Sequence, residues 1–153
     1  MNFSEESHAF SYAASRCAVR EYCCRDWYDK FVSGGLPAEA AERVVARLVE
    51  ERFIDEARYA RAYVHDKVLY DRWGRVKIRQ SLRMKGLPDS VVSESFSAVT
   101  CEEYEEALRC VLEQKRRTLK ARNDYEFRQK LARFAIGRGF EPALVFERVG
   151  EGD

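Results

Sequence analysis

The chain has 153 residues, 46% apolar and 35% charged, which is the composition of one globular domain or a short repeat array and excludes a disordered chain. No apolar run approaches the roughly 18 residues that a membrane span needs. The net charge is only +1, yet residues 72–86 carry 6 basic and no acidic side chains, residues 87–113 carry 1 basic and 7 acidic, and residues 114–138 carry 9 basic and 2 acidic. Two concentrated basic blocks in a near-neutral chain point either to two anionic contact regions or to solvated helix faces.

The first ten residues, with Glu5, Glu6 and His8, lack the basic and apolar regions of a secretory signal, so a cytoplasmic location is expected. Five cysteines, Cys17, Cys23, Cys24, Cys101 and Cys110, argue against a disulfide framework by their odd count. Cys23 and Cys24 are adjacent, and His8 and His65 form no paired motif. Free thiols are therefore expected, with no metal and no cofactor.

Further along, apolar residues recur at helical spacing nearly throughout. Ala41, Val44, Val45, Leu48 and Val49 form one stripe, and Tyr59, Ala60, Tyr63 and Val64 a second. A third is Tyr104, Ala107, Leu108, Val111 and Leu112; a fourth is Phe127, Leu131, Phe134 and Ala135. All four are expected to face a core. Asp55 reads as a helix cap, with Ile54 and Tyr59 placed as a hydrophobic staple. The acidic run Glu102-Glu103-Tyr104-Glu105-Glu106 reads as a helix start, where carboxylates complement the macrodipole. Asn123 with Glu126 reads as a variant capping box, and Gly34-Gly35, Gly86 and Gly139 read as helix stops.

These stops expose an internal repeat. Ser33-Gly34-Gly35-Leu36-Pro37, Lys85-Gly86-Leu87-Pro88 and Arg138-Gly139-Phe140-Glu141-Pro142 are mutually similar, and Gly35, Gly86 and Gly139 are separated by about 50 residues. A short amphipathic segment follows each: Ala38 to Glu51, Asp89 to Ala98 and Ala143 to Val149. The expected fold class is all-α, three tandem three-helix repeats in an elongated helical array, with repeats at approximately 5–54, 55–100 and 101–150.

No constellation supports catalysis. Gly34-Gly35 lacks the Lys-Ser/Thr of a phosphate-binding loop, there is no Gly-x-Ser-x-Gly elbow, and nothing pairs His65 with a particular thiol. The chain is read as a binding protein, not an enzyme. In the first basic block Arg75, Arg79 and Arg83 recur every four residues and form one ridge, beside an apolar ridge of Ile78 and Leu82. Arg72 extends the cationic ridge only if the helix begins before Gly74. Lys77 and Lys85 lie off it, and Trp73 beside it is read as a packing residue. The second block contributes Arg128, Lys130, Arg133 and Arg138, after Lys115, Arg116, Arg117, Lys120 and Arg122. Replacing Arg75, Arg79 and Arg83 together by Ala is expected to leave the fold intact if those side chains are exposed.

Three stretches resemble a known family. Phe53-Ile54-Asp55-Glu56-Ala57-Arg58-Tyr59-Ala60 resembles its signature between the first and second repeats. Trp73 to Leu87, with Gly74, Ile78-Arg79, Leu82 and Lys85-Gly86, is similar to its central signature, and Phe127 to Leu131 through Arg138-Gly139-Phe140 to its third. The family is RecX, and the resemblance covers nearly the whole chain. It is weakest in the first repeat, where Cys23-Cys24-Arg25-Asp26-Trp27-Tyr28 replaces a serine cap and a glutamate-leucine pair. The resemblance implies a monomeric regulator, chiefly an inhibitor, that binds the RecA nucleoprotein filament and modulates recombination, DNA repair and the SOS response. It implies no membrane partner and at most weak binding to naked DNA. A stand-alone helical DNA- or RNA-binding module is the alternative reading, and it expects strong binding to naked nucleic acid.

Overall fold

The computed structural model describes residues 2–151, and of Glu151 only the backbone. Among them the chain is helical with no strand. The helices are α1 (Glu6–Cys17), α2 (Cys24–Ser33), α3 (Ala38–Glu50), α4 (Glu56–Leu69), α5 (Arg75–Met84), α6 (Asp89–Ser95), α7 (Cys101–Thr118), α8 (Asp124–Gly137) and α9 (Pro142–Glu151), with a 3₁₀ turn at Phe96–Ala98. The all-α expectation therefore holds. No helix among the described residues is long and apolar enough to cross a membrane.

The local signals act as their chemistry requires. Asp55 Oδ1 accepts from the Arg58 N–H at 3.0 Å, and Ile54 and Tyr59 on either side of it are buried. Asn123 Oδ1 accepts from the Glu126 N–H at 2.8 Å, but the Glu126 carboxylate turns to the Arg122 N–H instead of closing the box. The acidic run opens α7 behind a full capping box, Thr100 with Glu103, whose cap residue lies two positions before the run. Gly35, Gly86 and Gly139 adopt φ of 100°, 82° and 102°, the left-handed region that ends a helix at little cost only for glycine. Gly34 does not, with φ of −84°.

Contacts divide the chain into two compact units. The first comprises residues up to Ala62 with Arg83–Ser95; the second comprises Tyr63–Leu82 with Phe96 onward. In the first, α1 and α2 both pack on α3 around Trp27, Phe31, Leu48 and Ile54. Trp27 is 1% exposed, stacks on Phe31 with centroids 5.6 Å apart and lies 4.7 Å from the Tyr22 ring. The atypical Cys23-to-Tyr28 stretch thus supplies the central aromatic of this core. Its helix start survives the missing serine because Asp26 accepts from the Cys23 N–H at 3.1 Å.

In the second unit, α8 packs on α7 and α9, and the Tyr104-to-Leu112 stripe is wholly buried. Two stripe residues depart from expectation. Val49 is 45% exposed and Phe134 38%, because each lies at the edge of its helix's apolar face rather than at its centre. Phe134 carries the Lys115 ammonium 4.6 Å above its ring.

All five thiols are free. Burial pushes the Cys23 thiol up to about 11, and burial with the nearby Glu56 carboxylate pushes Cys24 up to about 12. A thiol reacts as its thiolate, so both are expected to be inert near pH 8 in the folded protein. Titration with an aromatic disulfide reagent is expected to label exposed Cys101 first and to reach five thiols only after denaturation. Labelling of Cys24 in the folded state would contradict this.

Candidate functional site

The candidate site is assembled at the start of α5. After Leu69 the chain leaves α4 through Arg72, whose φ of 55° places it in the left-handed region. The Trp73 N–H closes the turn by donating to the Lys67 carbonyl at 2.9 Å. Arg72 therefore ends α4 and does not extend the cationic ridge, which starts at Arg75. Trp73 is half-buried, with the Lys67 and Lys77 ammonium groups 4.4 and 4.1 Å from its ring centroid. Its role is packing under two cations, a favourable arrangement for an indole face.

Gly74 then meets the turn between α8 and α9. Its N–H donates to the Arg138 carbonyl and the Val76 N–H to the Gly139 carbonyl, both at 2.9 Å. A Cβ on Gly74 would lie 2.2 Å from the Gly139 carbonyl carbon, and one on Gly139 would lie 2.4 Å from the Lys77 Cβ. Only two glycines permit this backbone crossing. The Arg138 guanidinium secures it by donating through Nη2 to the carbonyls of Asp71 and Arg72, the latter at 3.4 Å.

Beside the crossing lies a polar network. The Tyr104 hydroxyl accepts from the Arg75 N–H at 2.9 Å and donates to Glu141 Oε1. Arg75 Nη1 donates to Glu141 Oε2 at 3.0 Å, and the Arg75 guanidinium lies 3.7 Å from the Tyr104 ring centroid. Burial raises the Glu141 pKa, but the hydrogen bonds from Tyr104 and Arg75 outweigh it and leave the carboxyl below the usual range. Tyr104 is pushed well above 10, first by burial and then by its bond to the Glu141 carboxylate.

The ten cations singled out from the sequence thus fall into two groups. Arg75, Lys85 and Arg138 hold the fold; Lys85 reaches Asp26 at 3.3 Å, with both side chains largely buried. The Arg75 side chain is only partly exposed, so replacing it with the ridge would open the Tyr104–Glu141 network and lower stability. Of the remaining cations Arg83 and Arg133 are exposed and the others are half-buried. Arg79 rests 4.9 Å from the Phe96 ring centroid, and Arg83 pairs at 3.2 Å with Asp89, itself 80% exposed. Lys130 pairs with Glu126 at 3.3 Å, Arg128 is half-buried and Arg133 is exposed. Ile78 and Leu82 are fully buried, as the apolar ridge requires. The sequence hid the structural group because Tyr104 and Glu141 read as a core aromatic and a turn residue. Only their meeting with Arg75, 66 positions from Glu141, reveals the network.

The fold and these side chains define an all-α protein of three-helix units that offers cations. Family models for the second and third three-helix domains of RecX match residues 55–95 and 102–147. Regulatory protein RecX of Chlorobaculum tepidum is 30% identical over 149 residues, covering 97% of this chain and 91% of that protein. The chain belongs to the RecX family, a family of regulatory proteins. The namesake from Clostridium tetani is 31% identical over 118 residues, and the match spans only 54% of that protein. A crystal structure of regulatory protein RecX superposes with a TM-score of 0.84 at 23% identity, covering 95% of this chain and 73% of that one. That of RecX from Lactobacillus salivarius gives 0.76 at 16% identity, covering 96% and 95%, and both likenesses are of fold.

Proposed function

We propose that this chain regulates the RecA recombinase, chiefly as an inhibitor, by binding the RecA–DNA filament through cations of its second and third repeats, 55–100 and 101–150. In that role it acts in the cytoplasm as a monomer, without a cofactor, on recombination, DNA repair and the SOS response. The observation that carries the reading is the match of the family's second and third domains to the segments that hold the two basic blocks. The chemistry supports it, because Arg83 and Arg133 are exposed and arginine suits bidentate contact with phosphate or carboxylate. Exposed ion pairs such as Arg83–Asp89 contribute little to stability and exchange readily for an external partner.

Co-sedimentation with RecA filaments, with and without DNA and across a salt series, tests the proposal. The protein is expected to pellet with filaments and to bind naked DNA weakly. Strong binding to naked DNA that is indifferent to RecA would overturn it. A double variant, Arg83→Ala with Arg133→Ala, is expected to stay folded, to bind filaments about ten-fold or more weakly, and to lose inhibition of ATP hydrolysis. Where the contacts are to phosphates, the salt dependence becomes shallower, since about two fewer counterions are exchanged. Full inhibition by the folded variant would remove these two arginines from the interface.

A further inference from the structure

Within the second unit, a cleft of about 440 Å³ lies at the end of α4 against α7 and the end of α8. Its lining brings Tyr70 and Phe134 together with Arg72, Lys115 and Arg138. The lining carboxylate, Asp71, is already taken by Lys67 at 3.1 Å. Lys115 stands 4.6 Å above the Phe134 ring centroid, and Arg138 is held in place by its bonds to the Asp71 and Arg72 carbonyls. Tyr70 is 70% exposed and makes a T-shaped contact with His65, with centroids 6.0 Å apart. The cleft therefore combines three cationic side chains, of which Arg72 also faces the Glu106 carboxylate, with an open aromatic ring.

Each simple ligand uses only part of this lining. Inorganic phosphate or an acidic peptide would satisfy the cations and leave the ring idle, and an apolar ligand would cover the three cationic side chains without supplying an anion. A phosphate joined to a planar base uses both, since bases stack on aromatic rings while phosphates pair with cations. We propose that this cleft binds a nucleotide unit, its phosphate drawn to Arg72, Lys115 and Arg138 and its base stacked on Tyr70. Such a unit comes from one of two sources, a free nucleoside triphosphate or a residue of single-stranded DNA.

Two titrations at low salt test this, neither containing a recombinase, so the outcome is separable from the filament reading. One follows the anisotropy of a labelled oligothymidylate; the other follows ATP by calorimetry. Binding of the oligonucleotide alone assigns the polymer, and ATP binding at comparable concentration assigns the free nucleotide. In either case Tyr70→Ala and Lys115→Ala should each weaken binding about five-fold or more. Arg43→Ala, which removes one exposed charge from the first unit, should leave it unchanged. Should Lys115→Ala fail to fold, Lys115→Gln replaces it. Binding of neither ligand, indifference to Tyr70→Ala, or equal competition by inorganic phosphate or polyglutamate would each overturn the proposal.

Discussion

Gly74→Ala is expected to lower stability by about 4 kcal/mol and the melting temperature by about 10 °C or more, read by thermal unfolding under circular dichroism. The added methyl would sit 2.2 Å from backbone atoms of Gly139 and Phe140, which cannot swing away as a side chain could. Relief requires the two segments to separate, which breaks the hydrogen bonds from the Gly74 and Val76 N–H groups to the Arg138 and Gly139 carbonyls. Gly139→Ala should cost at least as much, because its φ of 102° adds backbone strain to the clash with Lys77. Gly137→Ala, two residues away, supplies the control. It is helical with nothing within 4 Å of the new Cβ, and should stabilise by up to about 1 kcal/mol. Three equal and small effects would mean that the crossing is not close-packed.

Opening the Arg75–Tyr104–Glu141 network is expected to cost about 2 kcal/mol for Arg75→Ala, a figure tempered by the partial exposure of both charged side chains. Its pH dependence follows from two opposed shifts. The Glu141 carboxyl is lowered in the fold, so its contribution is present above the unfolded pKa, near 4.5, and is lost as pH falls through the folded value. The Tyr104 hydroxyl is raised in the fold, so its contribution is complete below 10 and is lost as pH climbs toward its folded value. Stability from this cluster should therefore be level between about pH 5 and 9 and decline on both sides. Glu141→Gln should flatten the acid limb and Tyr104→Phe the alkaline limb, in urea unfolding across pH. Acid and alkaline limbs unchanged in both variants would show that other groups set them.

Much of the fold could be read locally, because helices are built from neighbours. Apolar period, capping residues such as Asp55 and Asn123, and glycines after each stripe act within one or two turns, so the all-α class and the helix stops were visible in the residues alone. The edges of the stripes were less legible. Phe134 and Val49 satisfy the helical period, but only the number of neighbouring elements decides whether the margin of an apolar face is covered. Charge shows the same division. Composition located both basic blocks, but not which cations already have partners. Arg75 and Arg79 stand one helical turn apart with the same chemistry. Arg75 is held by Tyr104 and Glu141 from distant elements, and Arg79 lies against Phe96. A side chain's role as anchor or as contact depends on what packs against it from elsewhere in the chain. The sequence by itself therefore determined the helices and their stops, since these rest on local spacing, and its motifs carried the resemblance to the family. The tertiary structure alone decided the Gly74–Gly139 crossing and the division of the cations, since both arise from groups brought together across some 65 residues.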